Sequence, residues 1–513
     1  MREAAIQNRG YNSVSAKRVS WSVSAAGLVL AMLASGCAVT PQALTPAELS
    51  AAADREISTL AVDQEPVTQP IGLYEAMARA LKYNLDHRVE MMQVALAQKQ
   101  LASATADMLP RLVASGGYAG RDKVAASFSE TLTTGLRSSS ATFSSEKVTL
   151  SGDLTFSWHV LDFGLSWVRA HQAADKALIA EETKRRIVNR IIEDVRIAYW
   201  RAVSAERLLD GFRKLESRIV KTQADTRAIR RAGQTSPVAA LTYERELVDI
   251  KREINRLENT LTTARHQLAA LMNVRPGDRF SLVAPKRDVS EVSVRLDGAD
   301  MVRVALTNRP EFREILYKGR INEKEAEVAL LEILPGLSAY GGINADSNDF
   351  LVNSNWLTWG AQASWNVMRV FQYPTRKAAV DANAQLIGAQ ARAMTMAIVT
   401  QVHVARARYQ IMRKTAATAA EYYNVQRDLR DQLRAGGDAG AVSEQTLIRE
   451  EMNTLVAAVE FDIAYADLQN AFAAIYSTLG IDPWDEQLST AMSIDELAAT
   501  LRRLWRERGD LHG

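Results

Sequence analysis

The chain carries one pattern twice. Residues 76–118 align without gaps on residues 301–343, at an offset of 225. A second register, at an offset of 207, aligns Ser157-Trp158 with Ser364-Trp365. The difference of 18 residues is accounted for by a longer loop in the first half. Because this period is far too long for a solenoid repeat, it predicts two similar halves in a pseudo-symmetric arrangement. Further matched pairs are Leu109-Pro110 with Leu334-Pro335, and Gly116-Gly117 with Gly341-Gly342.

The N-terminus has the features of an export signal. Basic residues precede an apolar run from Val23 to Leu33 that is too short to span a bilayer. Cys37, the only cysteine, follows Leu33-Ala34-Ser35-Gly36, and this segment resembles the bacterial lipobox. We therefore expect a lipoprotein signal peptide at 1–36, acylation (palmitate) at Cys37 and a lipid-anchored, extended tether over 37–70. A plain signal peptide or a free cysteine is the alternative.

Two runs alternate strictly between apolar and polar residues, from Val148 to Val160 and from Leu357 to Val367. A period of two predicts strands, and the lengths suit tilted transmembrane strands of about 9–11 residues. Each run has a predicted partner after a proline, at Leu112–Gly120 and at Leu337–Ala345, which gives strand hairpins over 110–160 and 335–368. A half-buried sheet of a soluble protein is the alternative. The predicted interfacial aromatic residues are Trp158, Trp359 and Trp365.

The segments that follow the strands predict very long helices. No proline occurs between Pro110 and Pro237, or between Pro374 and Pro483. A continuous helix from Leu165 to Arg231 would reach about 100 Å at about 1.5 Å per residue. Apolar residues keep heptad spacing along it, broken only by Glu216, and sustained spacing of this kind predicts coiled-coil packing. The following helical segment has a second row of apolar residues at heptad spacing, which we call a seam, and no polar residue interrupts it. This seam comprises Ala240, Tyr243, Leu247, Ile250, Ile254, Leu257, Leu261, Ala264, Leu268 and Leu271.

Each half is predicted to end in a helical hairpin with a tight turn. In the first half, Gly233 can end one helix, and Ser236 with Pro237 can cap the next. In the second half, the segment Gly436-Gly437-Asp438-Ala439-Gly440 occupies the equivalent place, between helices at roughly 376–434 and 442–478.

Four strands cannot form a closed barrel, because about eight is the practical minimum. Open sheet edges are not tolerated in lipid. If the strands lie in a membrane, the chain must therefore combine its strands with those of other copies of itself.

These features together resemble the TolC family of outer-membrane efflux and export proteins, over about residues 72–478. The segment Trp158-His159-Val160-Leu161-Asp162-Phe163-Gly164 is similar to the family's W-x-L-F-D-x-G pattern, and residues 365–371 are a degenerate second copy. Asn308-Arg309-Pro310-Glu311 resembles the family's opening of the second repeat.

The resemblance implies a mixed fold of long antiparallel coiled-coil helices in an α-barrel, with four strands given to a trimeric, 12-stranded β-barrel. It implies a homotrimer in outer-membrane lipid of a Gram-negative bacterium that extends into the periplasm. The implied partners are a periplasmic adaptor and an inner-membrane pump of the RND or ABC type. The adaptor-contacting tips are expected at Gly233, Gln234, Thr235, Ser236, Gly436 and Gly437, and the candidates for aperture gating are Arg434, Asp438 and Glu444. The alternative for these three is that they are solvated tip charges that only cap helices.

Domain boundaries follow from these assignments. We expect a first repeat at 71–272, an inter-repeat linker at 273–297, a second repeat at 298–478 and a C-terminal periplasmic tail at 479–513.

The sequence offers no sign of an enzyme. The histidines do not show metal-ligand spacing, and no phosphate-binding loop, dinucleotide fingerprint or nucleophile elbow is present. We therefore expect no catalytic residue, metal or cofactor. The net charge of +2, with interspersed charges, indicates no nucleic-acid partner.

The predicted function is passive export through the outer membrane, as the channel of a tripartite efflux or type I secretion system. A periplasmic adaptor and a non-conducting, lipid-anchored coiled-coil spacer are the alternatives.

Overall fold

The computed structural model describes residues 41–60, 64–275, 278–287, 298–438, 442–481 and 490–510, with the backbone alone at 437–438 and 506–510. The predicted signal peptide and Cys37 lie outside these residues. The chain divides into two compact units at residue 62.

The first unit contains helix α1 (Pro46–Thr59). Thr45 and Glu48 form a capping box, in which the Thr45 backbone N–H donates to the Glu48 carboxylate at 2.8 Å, and Pro46 occupies the first helical position. The expectation of an extended tether is therefore wrong for this stretch. The helix forms because the capping box and the alanines at 51–53 outweigh the flexible composition of the surrounding sequence.

The second unit repeats one order of elements. Its first half comprises α2 (Leu73–Tyr83), α3 (Leu85–Ala106), β1 (Arg111–Gly120), β2 (Val148–His159), α4 (Val160–Arg231) and α5 (Pro237–Leu271). Its second half comprises α6 (Gly298–Asn308), α7 (Pro310–Leu331), β3 (Gly336–Asp346), β4 (Asn355–Ser364), α8 (Met368–Asp438) and α9 (Glu444–Leu479). Corresponding helices have nearly equal lengths: α4 has 72 residues and α8 has 71, and α5 has 35 and α9 has 36. The internal duplication is confirmed.

The strands form one antiparallel sheet in the order β1-β2-β3-β4. The β2–β3 pairing joins the two halves, with Leu154 opposite Ile343. β1 and β4 are the edges of this sheet within the chain. The predicted combination of long antiparallel helices with a four-strand contribution is confirmed.

The seams of the helical hairpins are buried as the heptad pattern predicts. Leu247, Ile254 and Leu268 of α5 are fully buried against α4. Glu216, the one break in the α4 seam, forms an ion pair with Lys251 of α5 at 3.1 Å. The polar interruption is therefore satisfied across the hairpin.

A separate core lies midway along α4. The Tyr199 hydroxyl donates to the Val283 carbonyl at 2.6 Å, and Leu282 forms a parallel bridge with Ile71. The part of the inter-repeat segment around these two residues therefore packs on α4. The tail contains a further helix, α10 (Ile494–Asp510), which buries Ile494 and Leu501 in the same core.

Several element ends differ from those predicted. α8 begins at Met368, ahead of the expected Arg376, and includes Pro374. Pro374 is the seventh residue of this helix, so it forfeits the hydrogen bond that its N–H would make to the Val370 carbonyl, yet the helix continues past it. β4 ends at Ser364, so Trp365 lies just beyond the strand. α8 also continues past Arg434 to Asp438, through both glycines.

Candidate functional site

The sheet exposes one apolar face. The strand register brings Leu112 beside Phe156, and Leu154 beside Ile343. The large side chains of this face are between 42% and 86% exposed in the single chain. A contiguous exposed surface of this kind marks a contact with lipid or with protein. The apolar face consists of Leu112, Tyr118, Leu150, Leu154, Phe156, Trp158, Leu337, Ile343, Leu357 and Trp359.

The opposite face of the sheet is polar and internally hydrogen-bonded. The Asp153 carboxylate accepts hydrogen bonds from the hydroxyls of Ser115 at 3.2 Å and Thr155 at 3.1 Å. The Asn344 amide donates to the Thr358 hydroxyl at 3.0 Å. This face suits contact with water, in contrast to the apolar face.

Gly360 makes room for an aromatic ring on the polar face. A Cβ at this position would lie 2.6 Å from the hydroxyl oxygen of Tyr340, on the neighbouring strand. The ring of Tyr340 therefore covers backbone that glycine leaves bare, which supports pairing at this edge of the sheet.

The predicted interfacial aromatic residues lie at two levels. Trp158 is near the helix end of the sheet, with its ring 5.9 Å edge-to-face from Phe163. Trp365 is at the same end, and its indole N–H donates to the Ile333 carbonyl at 2.9 Å. Trp359 lies within β4 and is 86% exposed. An interfacial role for the three stays a prediction.

The first helical hairpin turns at the predicted residues. Gly233 has φ of +69°, and the Gln234 N–H donates to the Ile229 carbonyl at 3.2 Å, which ends α4. Ser236 precedes α5, but its side chain makes no capping hydrogen bond, contrary to expectation. Pro237 in the first position supplies the start of the helix instead. Gln234 and Ser236 are exposed and Thr235 is half-buried, so this tip is accessible in the single chain.

The second hairpin turn lies partly outside the described residues. Gly436, Gly437 and Asp438 are the last residues of α8, and residues 439–441 are not described. Ser443 caps α9, because its side chain accepts from the Thr446 N–H at 3.2 Å.

A group of charged side chains joins the two hairpins close to the tips. Arg218 of α4 donates to Glu444 at 2.6 Å and to Glu451, both on α9. Glu246 of α5 accepts from Arg449 of α9. We call these five residues the clasp. Gln445 of α9 adds a hydrogen bond to Glu246 at 2.9 Å.

The pKa values reflect this pairing. The hydrogen bond from Arg449 lowers the pKa of Glu246, against the opposing effect of burial. Burial alone would lower the pKa of Arg218, but hydrogen bonds to Glu444 and Glu451 outweigh it and raise the pKa. Burial, followed by the charges of Glu444 and Glu246, raises the pKa of Tyr243.

The gating candidates are in different situations. Glu444 is engaged in the clasp, and Arg434 is exposed on α8. The side chain of Asp438 is not described. Sequence analysis missed Arg218, Glu246, Arg449 and Glu451. No local pattern marks them, because their partners are about 200 residues away along the chain.

None of the helices in the described ranges is long and apolar enough to cross a membrane. Across the same ranges, no group of three or more His, Cys, Asp or Glu side chains is placed to bind a metal ion.

Comparison with protein-family models and with curated protein sequences gives no match. Comparison with solved structures gives several. The outer-membrane channel CmeC of Campylobacter jejuni superposes with a TM-score of 0.66 at 14% identity, covering 90% of this chain and 98% of that one. The open-state outer-membrane channel MtrE of Neisseria gonorrhoeae gives 0.61 at 16% identity, covering 86% and 98%. CusC, whose structures concern transmembrane channel formation, gives 0.61 at 18% identity, covering 82% and 96%.

The similarity extends over both halves, because each comparison covers more than four-fifths of the chain. The resemblance to the TolC family is thus confirmed at the level of the fold: this chain has the fold of outer-membrane channel proteins.

Proposed function

We propose that the protein is the outer-membrane channel of an export system, a passive duct built from three copies of the chain. One observation carries the proposal: a sheet with an exposed apolar face, a hydrogen-bonded polar face and two open edges. In lipid such a sheet is stable only when its edges are paired.

The strand directions allow several copies of the chain to join into a ring. β1 and β4 run in opposite directions, so β1 of one copy can pair in antiparallel fashion with β4 of the next. Such a head-to-tail contact joins two different surfaces and forms a ring when the rotation from one copy to the next closes. Three copies supply about twelve strands, above the minimum of about eight for a closed barrel.

The helices also leave surfaces for neighbouring copies. Leu85, Val89, Met92 and Leu96 form a stripe along α3, and each is at least 45% exposed. Val404, Ile411 and Val425 of α8 are each at least 57% exposed. Below the sheet, we propose that these stripes pack between copies and continue the barrel as a helical tunnel.

The hairpin tips form the narrow periplasmic end of this tunnel in the proposal. The exposed turn at 233–236 is the contact for a periplasmic adaptor, which links the duct to an inner-membrane pump of the RND or ABC type. The clasp holds the α8–α9 hairpin against α4 and α5, so its rupture would let the tip move outward. Cys37 carries the lipid anchor at the outer membrane.

Planar-bilayer recording tests the proposal. Purified oligomer is added to one side of a bilayer, and single-channel currents are measured. If the protein is a passive duct, discrete conductance steps should appear with the applied voltage as the only driving force. Neither a nucleotide nor an ion gradient should be needed. Absence of steps from protein that has inserted would favour the non-conducting spacer, and binding to a pump without membrane insertion would favour the adaptor.

A further inference from the structure

A cavity of about 490 Å³ lies where the first strand pair meets α4. Two carboxylates, Asp107 and Asp162, and two guanidinium groups, Arg111 and Arg169, line it and are exposed in the single chain. Ser157 and His159 of the polar face complete the polar part of the lining. Trp158, at the end of the apolar face, contributes to its wall. The cavity therefore combines both signs of charge with a border on the apolar surface.

The internal duplication provides a comparison for this cavity. By the two registers of the repeat, Asp107 corresponds to Glu332 and Arg169 corresponds to Arg376. Glu332 and Arg376 form an ion pair. The same junction in the second half is also tied by Trp365, through its bond to the Ile333 carbonyl.

In the first half, the place where the strand pair meets α4 lacks the corresponding ion pair. Among the described residues, the side chains of Asp107, Arg111, Asp162 and Arg169 form no ion pair or hydrogen bond, although opposite charges share one cavity. Aspartate is one methylene shorter than glutamate. In addition, Asp162 stands where the second half has Arg369, which donates to the Glu332 carbonyl.

We propose that this cavity binds the headgroup of a zwitterionic, amine-bearing phospholipid. Guanidinium groups are suited to phosphate, and carboxylates to an ammonium group. The acyl chains would continue past Trp158 onto the apolar face. This proposal rests on the proposed function, since it takes the apolar face as the membrane surface.

Other ligands fit the lining less well. An anionic lipid or free phosphate would satisfy the arginines but would face two unpaired carboxylates. The two aspartates alone do not make a metal site, and no metal-binding group of side chains occurs among the described residues. A headgroup that carries both charges offers a partner to each kind of charged side chain in the lining.

The test uses native mass spectrometry of the full-length, detergent-purified protein titrated with dihexanoyl phosphatidylethanolamine. Dihexanoyl phosphatidylglycerol and inorganic phosphate are titrated in parallel. The wild-type protein should retain the ethanolamine lipid at about fivefold lower concentration than the glycerol lipid, and inorganic phosphate should not compete. Equal retention of the two lipids, or displacement by phosphate, would overturn the proposal.

Variants locate the binding. Asp107→Glu should reach Arg169 as Glu332 reaches Arg376, close the cavity and weaken lipid retention about tenfold, and Arg169→Gln should weaken it similarly. The matched control is Arg376→Gln, at the equivalent position of the second half, which should retain lipid as the wild type does. Unchanged retention in both cavity variants would reject the site. If the protein conducts yet shows no lipid preference, the lipid site fails while the duct stands.

Discussion

Gly480 ends α9 in the left-handed conformation and lies against the junction of α6 and α7. Its φ is +68°, and an added Cβ would lie 2.7 Å from the Asn308 carbonyl carbon. The motif that begins at Asn308 is itself fixed by Arg309, whose guanidinium binds the Glu311 carboxylate through two hydrogen bonds of 3.1 and 2.9 Å. Together these contacts join the end of the second hairpin to the start of the second half.

Gly480→Ala should destabilise the protein. The left-handed conformation costs a residue with a Cβ about 1–2 kcal/mol, and the contact with Asn308 adds to this. The midpoint of thermal unfolding should fall. Gly319→Ala is the control, because a Cβ there meets nothing within 4 Å inside α7 and the helix gains up to about 1 kcal/mol. Equal effects of the two substitutions would contradict the account.

His87 should make stability depend on pH. It is buried, and burial lowers its pKa below the ordinary value of 6.5. The folded state therefore binds a proton less readily than the unfolded state. The contribution is present above pH 6.5 and is lost as the pH falls below 6.5, by at most about 1.4 kcal/mol per pH unit.

Denaturation of His87→Gln at pH 7.5 and 5.5 measures this contribution. The variant should lose less stability between these values than the wild type. His171→Gln, on an exposed part of α4, should keep the wild-type pH dependence. A steeper loss in His87→Gln would show that the sign is wrong.

At the residue scale, sequence reasoning reached what local chemistry specifies. Gly233 and Pro237 were placed correctly because turn residues act on their own backbone. The partners of Glu444 were not predicted. Arg218 is 226 residues away from it, and only the packing of α9 on α4 brings them together.

The long hairpins show how much a heptad pattern determines. The seam of α5 predicted the buried face of that helix. The one polar break predicted in α4, Glu216, is indeed polar in context, because it pairs with Lys251 of α5. The pattern did not predict α1 or α10, since both are short and lie in stretches without sustained periodicity. A capping box forms the first, and packing of Ile494 and Leu501 into the central core stabilises the second.

Leu247→Ala tests the seam of the first hairpin. Leu247 is fully buried, and removing its side chain should cost about 2–5 kcal/mol. The thermal midpoint should fall clearly. Leu241→Ala is the control on the same helix, because Leu241 is 50% exposed and should change stability by less than about 1 kcal/mol. A larger effect at Leu241 would place the seam on the other face.

Arg218→Gln tests the clasp. The substitution removes the two ion pairs that Arg218 makes with α9. Because these groups are partly exposed to solvent, each pair contributes about 1 kcal/mol or less to stability. We expect the fraction of time spent open in bilayer recordings to rise about fivefold. Arg213→Gln, an exposed arginine on the same helix, should leave gating unchanged. An equal open fraction in the two variants would show that the clasp does not stabilise the closed state.

At the scale of the whole molecule, a single chain leaves several surfaces unpaired. The apolar face of the sheet, the open edges β1 and β4, and the exposed stripes on α3 and α8 all lack partners within the described chain. The sequence predicted this because four alternating strands are too few for a barrel. It could not supply the mixed-charge cavity near Asp107, which exists only where α3, β2 and α4 meet.

The mass of the detergent-extracted particle tests the central claim most directly. Light scattering with correction for bound detergent, or native mass spectrometry, counts the copies of the chain in each membrane-inserted particle. The account predicts three copies, with no stable smaller species able to insert. A membrane-embedded particle with a single copy of the chain would contradict it.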